Sequence, residues 1–273
     1  MAPPKDVPAF FGPTSIVIPV VTHWSDASLL TPHEPIRNDL ARMERLLQVP
    51  FFDGTQAWKV KAFFKWYNDW FYPNVHHHHD IEETIFFPAV KARCDVIPER
   101  MAADHEELIR MLDEIRAMEL RFKPLKRGAP EPSLSERRLV AEELRQKVAH
   151  LATELREHIA EEERFFTPVI KEKFTKEEHH QLVDQIIKAA GLSGNAKMGP
   201  WVVHSMYKWA GKDYVEKEFR AGIPAPIKFL FDHFWYPKYL KKAVRGLDVL
   251  ELEADPKTSA GKSLRRIHSI RAN

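Results

Sequence analysis

Two segments of this chain, HHHHDIEETIFFPAV at residues 76–90 and HIAEEERFFTPVI at residues 158–170, carry one polar pattern twice. Superposing Pro88 on Pro168 places Glu82 on Glu162, Glu83 on Glu163 and His78 on His158. A second repeat lies upstream in each half. There His33-Glu34-Pro35-Ile36-Arg37 answers to His105-Glu106-Glu107-Leu108-Ile109, and Ile36, Leu40 and Met43 match Leu108, Leu112 and Ile115. Each half therefore opens on one histidine-bearing helix and closes on another, which points to a four-helix bundle with pseudo-twofold symmetry.

Spacing decides which way the polar groups face. His78 and Glu82, like His158 and Glu162, are four residues apart and so lie one turn apart on one helix face. Ile85 and Phe165, seven residues beyond each histidine, continue that face as apolar, so the pairs point inward. His33 and His105 stand three and seven residues before core positions of their own helices. An unpaired charge in a bundle core is costly, whereas a pair of metal ions neutralises carboxylates and occupies imidazole nitrogens. The mixed donor set suits iron, with manganese and zinc also chemically compatible. Two metals bridged by Glu82 and Glu162 would share the four histidines and keep positions open for O2, peroxide or a solvent-derived bridge.

Composition agrees with helices and excludes several functions. Glycine is scarce, at 10 of 273 residues, and β-branched alternation is almost absent after about residue 25. A single cysteine, Cys94, rules out an internal disulfide and fits a reducing, cytoplasmic setting. The proline-broken N-terminus reads as no signal peptide, and no stretch reaches the roughly 18 apolar residues of a membrane span. Forty-one basic residues against 39 acidic ones, interspersed along the helices, argue against nucleic acid as a partner.

Punctuation divides the chain into an irregular arm (1–30), a bundle (31–192) and a C-terminal extension with a basic tail (193–273). The box Thr31-Pro32-His33-Glu34 predicts a helix start near residue 32, running to about 48. A second helix follows over about 55–88, with Pro73 expected to kink or interrupt it. Pro98 opens a third, to about Phe122. KPLKRGAPEPSLS reads as a linker, after which Ser133 with Glu136 caps a fourth ending near Pro168. Thr175 to Glu178 caps a fifth that stops at Gly191. The region beyond SGNAKMGP, with Trp201, Met206, Trp209, Phe229, Phe231, Phe234 and Trp235, reads as a helical layer on the bundle. A lid over a small-molecule substrate pocket, a homodimer surface, or a membrane contact flanked by Lys238, Lys241 and Lys242 are its functional alternatives.

The ordered set HEPIR, HHHHDIEETIFFP, DHEELIR and HIAEEERFFTP resembles the metal-ligand motifs of the hemerythrin-like HHE cation-binding family over about residues 30–170. That resemblance implies an all-α, up-down four-helix bundle holding a non-heme di-iron centre, two Fe2+/Fe3+ ions with an oxo or hydroxo bridge. Its ligands would be His33, His78, Glu82, His105, His158 and Glu162. Oxygen-carrying members place a further histidine where this chain has Ile109, so simple reversible carriage is not implied. Some iron-responsive members use an acidic residue at the position of His79, which makes His79 a candidate extra ligand. Glu83 and Glu163 read as outward charges or as hydrogen-bond partners of a ligand histidine, with the outward reading slightly preferred. His150, eight residues before His158, reads as a core polar residue or a group above the metals in a pocket. Function then divides between an iron, oxygen or redox binding, sensing or storage protein and a di-iron oxidase, oxygenase or peroxidase.

Overall fold

The computed structural model describes residues 21, 23–47, 56–94, 97–123 and 130–251. The arm over 1–20, the middle of the linker and the basic tail lie outside the described residues. Among those described, every regular element is helical, and no helix is long and apolar enough to cross a membrane. In chain order the helices are α1 (Asp26–Leu47), α2 (residues 57–91), α3 (Glu99–Ala117, tightened over Met118–Phe122) and α4 (Leu134–Lys173). Then come α5 (Lys176–Trp209), α6 (residues 211–219) and α7 (residues 225–251).

Each of the first four helices crosses from one apolar group to another through its polar residues. In α1, Leu29 belongs to one group, His33 follows, and Ile36 and Leu40 belong to the other. Helix α2 runs the opposite way, from Val75 through His78 and Glu82 to Phe86 and Val90. Helix α3 repeats the first direction, with Met101, His105 and then Leu108, and α4 the second, with Leu155, His158, Glu162 and then Phe166. This alternation is an up-down-up-down bundle with its polar layer sealed between two dry layers.

Helix α1 starts earlier than its capping box suggests. Thr31 lies inside the helix with its hydroxyl donating to the Ala27 carbonyl at 2.7 Å, and the first turn is closed instead by His23 N–H donating to Asp26 Oδ2 at 2.8 Å. Pro32 and Pro35 remove two backbone donors inside the helix. Burial of Ala27 and Leu29 against different apolar groups holds those turns together in spite of them.

Pro73 does not interrupt α2, because the turn before it widens. Over Tyr67–Phe71 the helix is π-helical and Tyr72 N–H bonds to the Tyr67 carbonyl. The same device precedes Pro88, with a π turn over Glu82–Phe86, and Pro237, with a π turn over Phe231–Trp235. A proline ring collides with the carbonyl four residues back, and a wider turn there carries that carbonyl aside. Each π turn also advances the register by one residue. Phe86 and Phe87 are therefore buried in the dry layer, while Ile85 is only half-buried beside it.

The C-terminal helices extend the same core. Trp201 of α5 and Tyr239, Ala243, Leu247 and Leu250 of α7 belong to one apolar group with the bundle residues. Trp201 Nε1 donates to buried Asp39 Oδ2 at 2.8 Å, and Tyr239 meets Trp70 edge-on with ring centres 5.5 Å apart. Gly191 (φ 60°, ψ −174°) does end a helix, as its sequence context implies, but a second half of α5 restarts at once and runs through SGNAKMGP to Trp209. Asn195 Nδ2 ties the break by donating to the carbonyls of Ile187 and Gly191, each at 2.7 Å.

If α7 is part of the core, Tyr239→Ala should cost about 3–5 kcal/mol in urea unfolding. Phe229→Ala, at a side chain that is 54% exposed, should stay within about 0.5 kcal/mol. Equal effects would contradict the docking.

Candidate metal centre

Helix α1 supplies His33, α2 supplies His78, His79 and Glu82, α3 supplies His105, and α4 supplies His158 and Glu162. All seven are buried, none more than 4% exposed. Their donor atoms gather into two groups, His33–His78–Glu82–Glu162 and His79–His105–His158, the atoms of each lying within 4.8 Å of one another.

The two carboxylates span both groups. Glu162 Oε2 lies 3.3 Å from His33 Nε2, while Glu162 Oε1 lies 3.3 Å from His158 Nε2 and 3.5 Å from His105 Nε2. Glu82 Oε1 lies 3.7 Å from His33 Nε2, and Glu82 Oε2 lies 3.3 Å from His78 Nε2 and 3.7 Å from His105 Nε2. These spacings exceed the roughly 2.7–3.2 Å of a good N–H···O bond. They suit atoms that each reach about 2.1 Å toward a shared cation.

Unpaired atoms carry the same message. His33 Nε2, His78 Nε2, both nitrogens of His79, Glu82 Oε2 and both oxygens of Glu162 are buried without a hydrogen-bond partner. His105 Nε2 and His158 Nε2 face each other at 2.9 Å, a contact that needs a proton or a cation between two lone pairs. Convergent orphaned donors in a dry layer fit metal ions and little else.

Electrostatics couple the members of this cluster. Burial works against the Glu162 carboxylate, but contacts with His105, His158 and His33 outweigh it and hold that carboxyl well below the ordinary range. Burial, then the neighbouring Glu162 charge, pushes Glu82 up to about 7. Burial also opposes charge on His33, yet its contacts with Glu162, Glu163 and Glu82 keep it well above the usual histidine value, and His105 is raised against burial by Glu162 and Glu82. His78 and His79 are driven well below that value by burial and by their histidine neighbours.

The ligand-facing nitrogens are aimed from behind. His33 Nδ1–H donates to Glu163 Oε1 at 2.9 Å, and Arg37 forks onto both Glu163 oxygens at 2.8 Å each. His105 Nδ1–H donates to Glu83 Oε1 at 2.8 Å. The exchange is reciprocal: the glutamate of each half holds the first histidine of the other. A bond at Nδ1 leaves the Nε2 lone pair free to face the centre. Phe87 stacks on the His105 ring at 5.3 Å and 12°, which fixes its plane.

Residues 26–170, more than half of the chain, match the family model of the hemerythrin HHE cation-binding domain. The chain belongs to this family. No curated protein and no solved structure matches it.

The six motif residues of this hemerythrin HHE chain thus come together, and His79 joins them. Its ring is 2% exposed and stacks on His105 with centres 4.5 Å apart. The preferred outward reading is corrected for Glu163, which turns toward His33, whereas Glu83 stays exposed as that reading has it and also accepts a hydrogen bond from His105. Both readings of His150, as a core polar residue and as a group above the metals, are corrected too: it is exposed, 3.6 Å from Glu154, because residue 150 falls outside the α4 stripe of Val148, Leu151 and Leu155. Tyr67 gives its hydroxyl to the Leu112 carbonyl at 3.0 Å and serves packing. Ile109, where oxygen carriers have another histidine, packs half-buried against the core. Arg37 was missed, although its position four residues after His33 places both on one face.

Removing the Glu163 carboxylate should free the His33 ring, so Glu163→Ala is expected to weaken cation binding about 10–100-fold in chelator competition. His150→Ala should leave it unchanged. An unaltered affinity in Glu163→Ala would contradict the positioning role.

Proposed function

We propose that this chain is a non-heme di-iron protein that binds or activates O2 or peroxide. One observation carries the reading: Glu82 and Glu162 each present oxygens to both imidazole groups, the disposition of two bridging carboxylates. Histidine-rich sites with carboxylate bridges suit iron. Bound iron would supply redox capacity and charge stabilisation for an oxygen species. Under this reading His33 and His78 would hold one ion and His79, His105 and His158 the other, with His79 filling the coordination that Ile109 does not provide.

The protein's own contribution is a rigid, dry seat. Glu163 and Glu83 hold the Nδ1 protons of His33 and His105, so those rings cannot change tautomer without losing a bond. Phe86, Phe87 and Phe166 close one side of the layer and exclude water. A seat whose seven residues are so deeply buried favours a diatomic or peroxide-sized ligand over direct attack on a bulky substrate. Oxygen, iron or redox sensing and iron storage are therefore supported more strongly than oxidation of a large molecule.

Anaerobic reconstitution with Fe2+ followed by metal analysis should give two iron equivalents. His79→Ala should retain about one, and Glu162→Ala, which lacks a bridge to both groups, should retain less than one. Clearly less than two in the unaltered protein would reject the di-iron reading. With two irons present, oxygen-electrode measurements should show uptake that ends near stoichiometry with the centre; continued uptake on adding a small-molecule reductant would favour the enzyme.

A further inference from the structure

Where α5 restarts after Gly191, its first turn faces α2 across a cavity of ≈220 Å³. Ser193, Gly194 and Lys197 line it from α5, and Asn74 and His77 line it from α2. None of the seven clustered residues of the metal centre takes part.

Asn74 is only 1% exposed, and its Nδ2 has no hydrogen-bond partner. His77 Nε2 is likewise buried without one. A buried unsatisfied donor is costly, and both side chains belong to residues that line this cavity, where a ligand's acceptor would satisfy them. The rim is different in kind: Ser193 and Lys197 are exposed. The site is thus a polar floor beneath a cationic mouth.

Its chemistry selects one class of ligand. Asn74, Ser193 and Lys197 offer donors, His77 can offer another, and among the described residues no carboxylate lines the walls. The opening turn of a helix adds the positive end of its dipole. Gly194 keeps the space clear, since a Cβ there would stand 3.6 Å from His77 Nε2 and 3.1 Å from the Ala190 Cβ. Pro73 and Met198 supply apolar wall. With about 30 Å³ per water in the liquid, the volume admits a tetrahedral anion with several waters or a small acid.

We propose that this cavity binds a small oxyanion, a phosphate or carboxylate group, with Asn74 and His77 donating from the floor and Lys197 neutralising it at the rim. The site requires no metal and stands apart from the di-iron reading.

Calorimetric titration of the full chain with inorganic phosphate, and separately with acetate, tests it. One equivalent of at least one anion should bind, and the tighter of the two identifies the group recognised. Lys197→Glu should weaken binding at least tenfold with melting temperature and metal content unchanged, and Asn74→Asp should do the same where it folds. Lys197 is exposed, so its variant decides the matter even if Asn74→Asp does not fold. Absence of saturable binding at millimolar anion, or undiminished affinity in Lys197→Glu, would overturn the proposal.

Discussion

Glu82 and Glu162 bring two carboxylates into a layer from which water is excluded, and charge of that kind persists only against positive counterparts. The four helices are arranged around this demand. Each delivers at least one imidazole to the layer, and each then continues into apolar residues above and below it. Arg37, through Glu163, adds a permanent positive charge behind His33. Dry layers on both sides raise the cost of leaving the carboxylates uncompensated. They also strengthen every favourable contact made inside.

Pro73 and Pro88 in α2 and Pro237 in α7 would ordinarily limit such long elements. The π turns before Pro73, Pro88 and Pro237 keep α2 and α7 continuous at the cost of a one-residue change of register. In α2 that change has consequences for the centre. Glu82 begins the second π turn, and the aromatic pair Phe86–Phe87 arrives over the His105 ring and Phe166, where an unbroken α-helix would direct Ile85. Backbone irregularity and site geometry are one feature in this segment.

Much of this was legible in the sequence because it depends on period. Four inward histidines, two i, i+4 glutamates and the capping boxes at Ser133 and Thr175 all follow from 3.6 residues per turn, and both boxes close as expected. What failed to show depends on tertiary contact. The start of α1 at Asp26 rests on packing of Ala27 and Leu29 that outweighs two prolines. His79 sits about 100° around the helix from His78, so a single-face rule discards it, yet two groups of donors side by side need both directions. Glu83 and Glu163 resemble any solvated helix charge until the histidine of the opposite half is placed beside them. The resumption of α5 beyond Gly191 is invisible where one glycine can either end a helix or merely break it.

The family match ends at residue 170, whereas the apolar core continues into α5 and α7. Those helices belong to the bundle's packing, and α5 also forms one wall of the cavity beside Asn74. On the proposed reading, two cations share the polar layer. Anomalous diffraction at the iron edge from crystals of the iron-loaded protein tests it most directly. Two peaks roughly 3.5–4 Å apart should appear, one near His33 and His78 and the other near His79, His105 and His158, with Glu82 and Glu162 reaching both. A single peak, or iron bound elsewhere while these side chains bond only to one another, would contradict it.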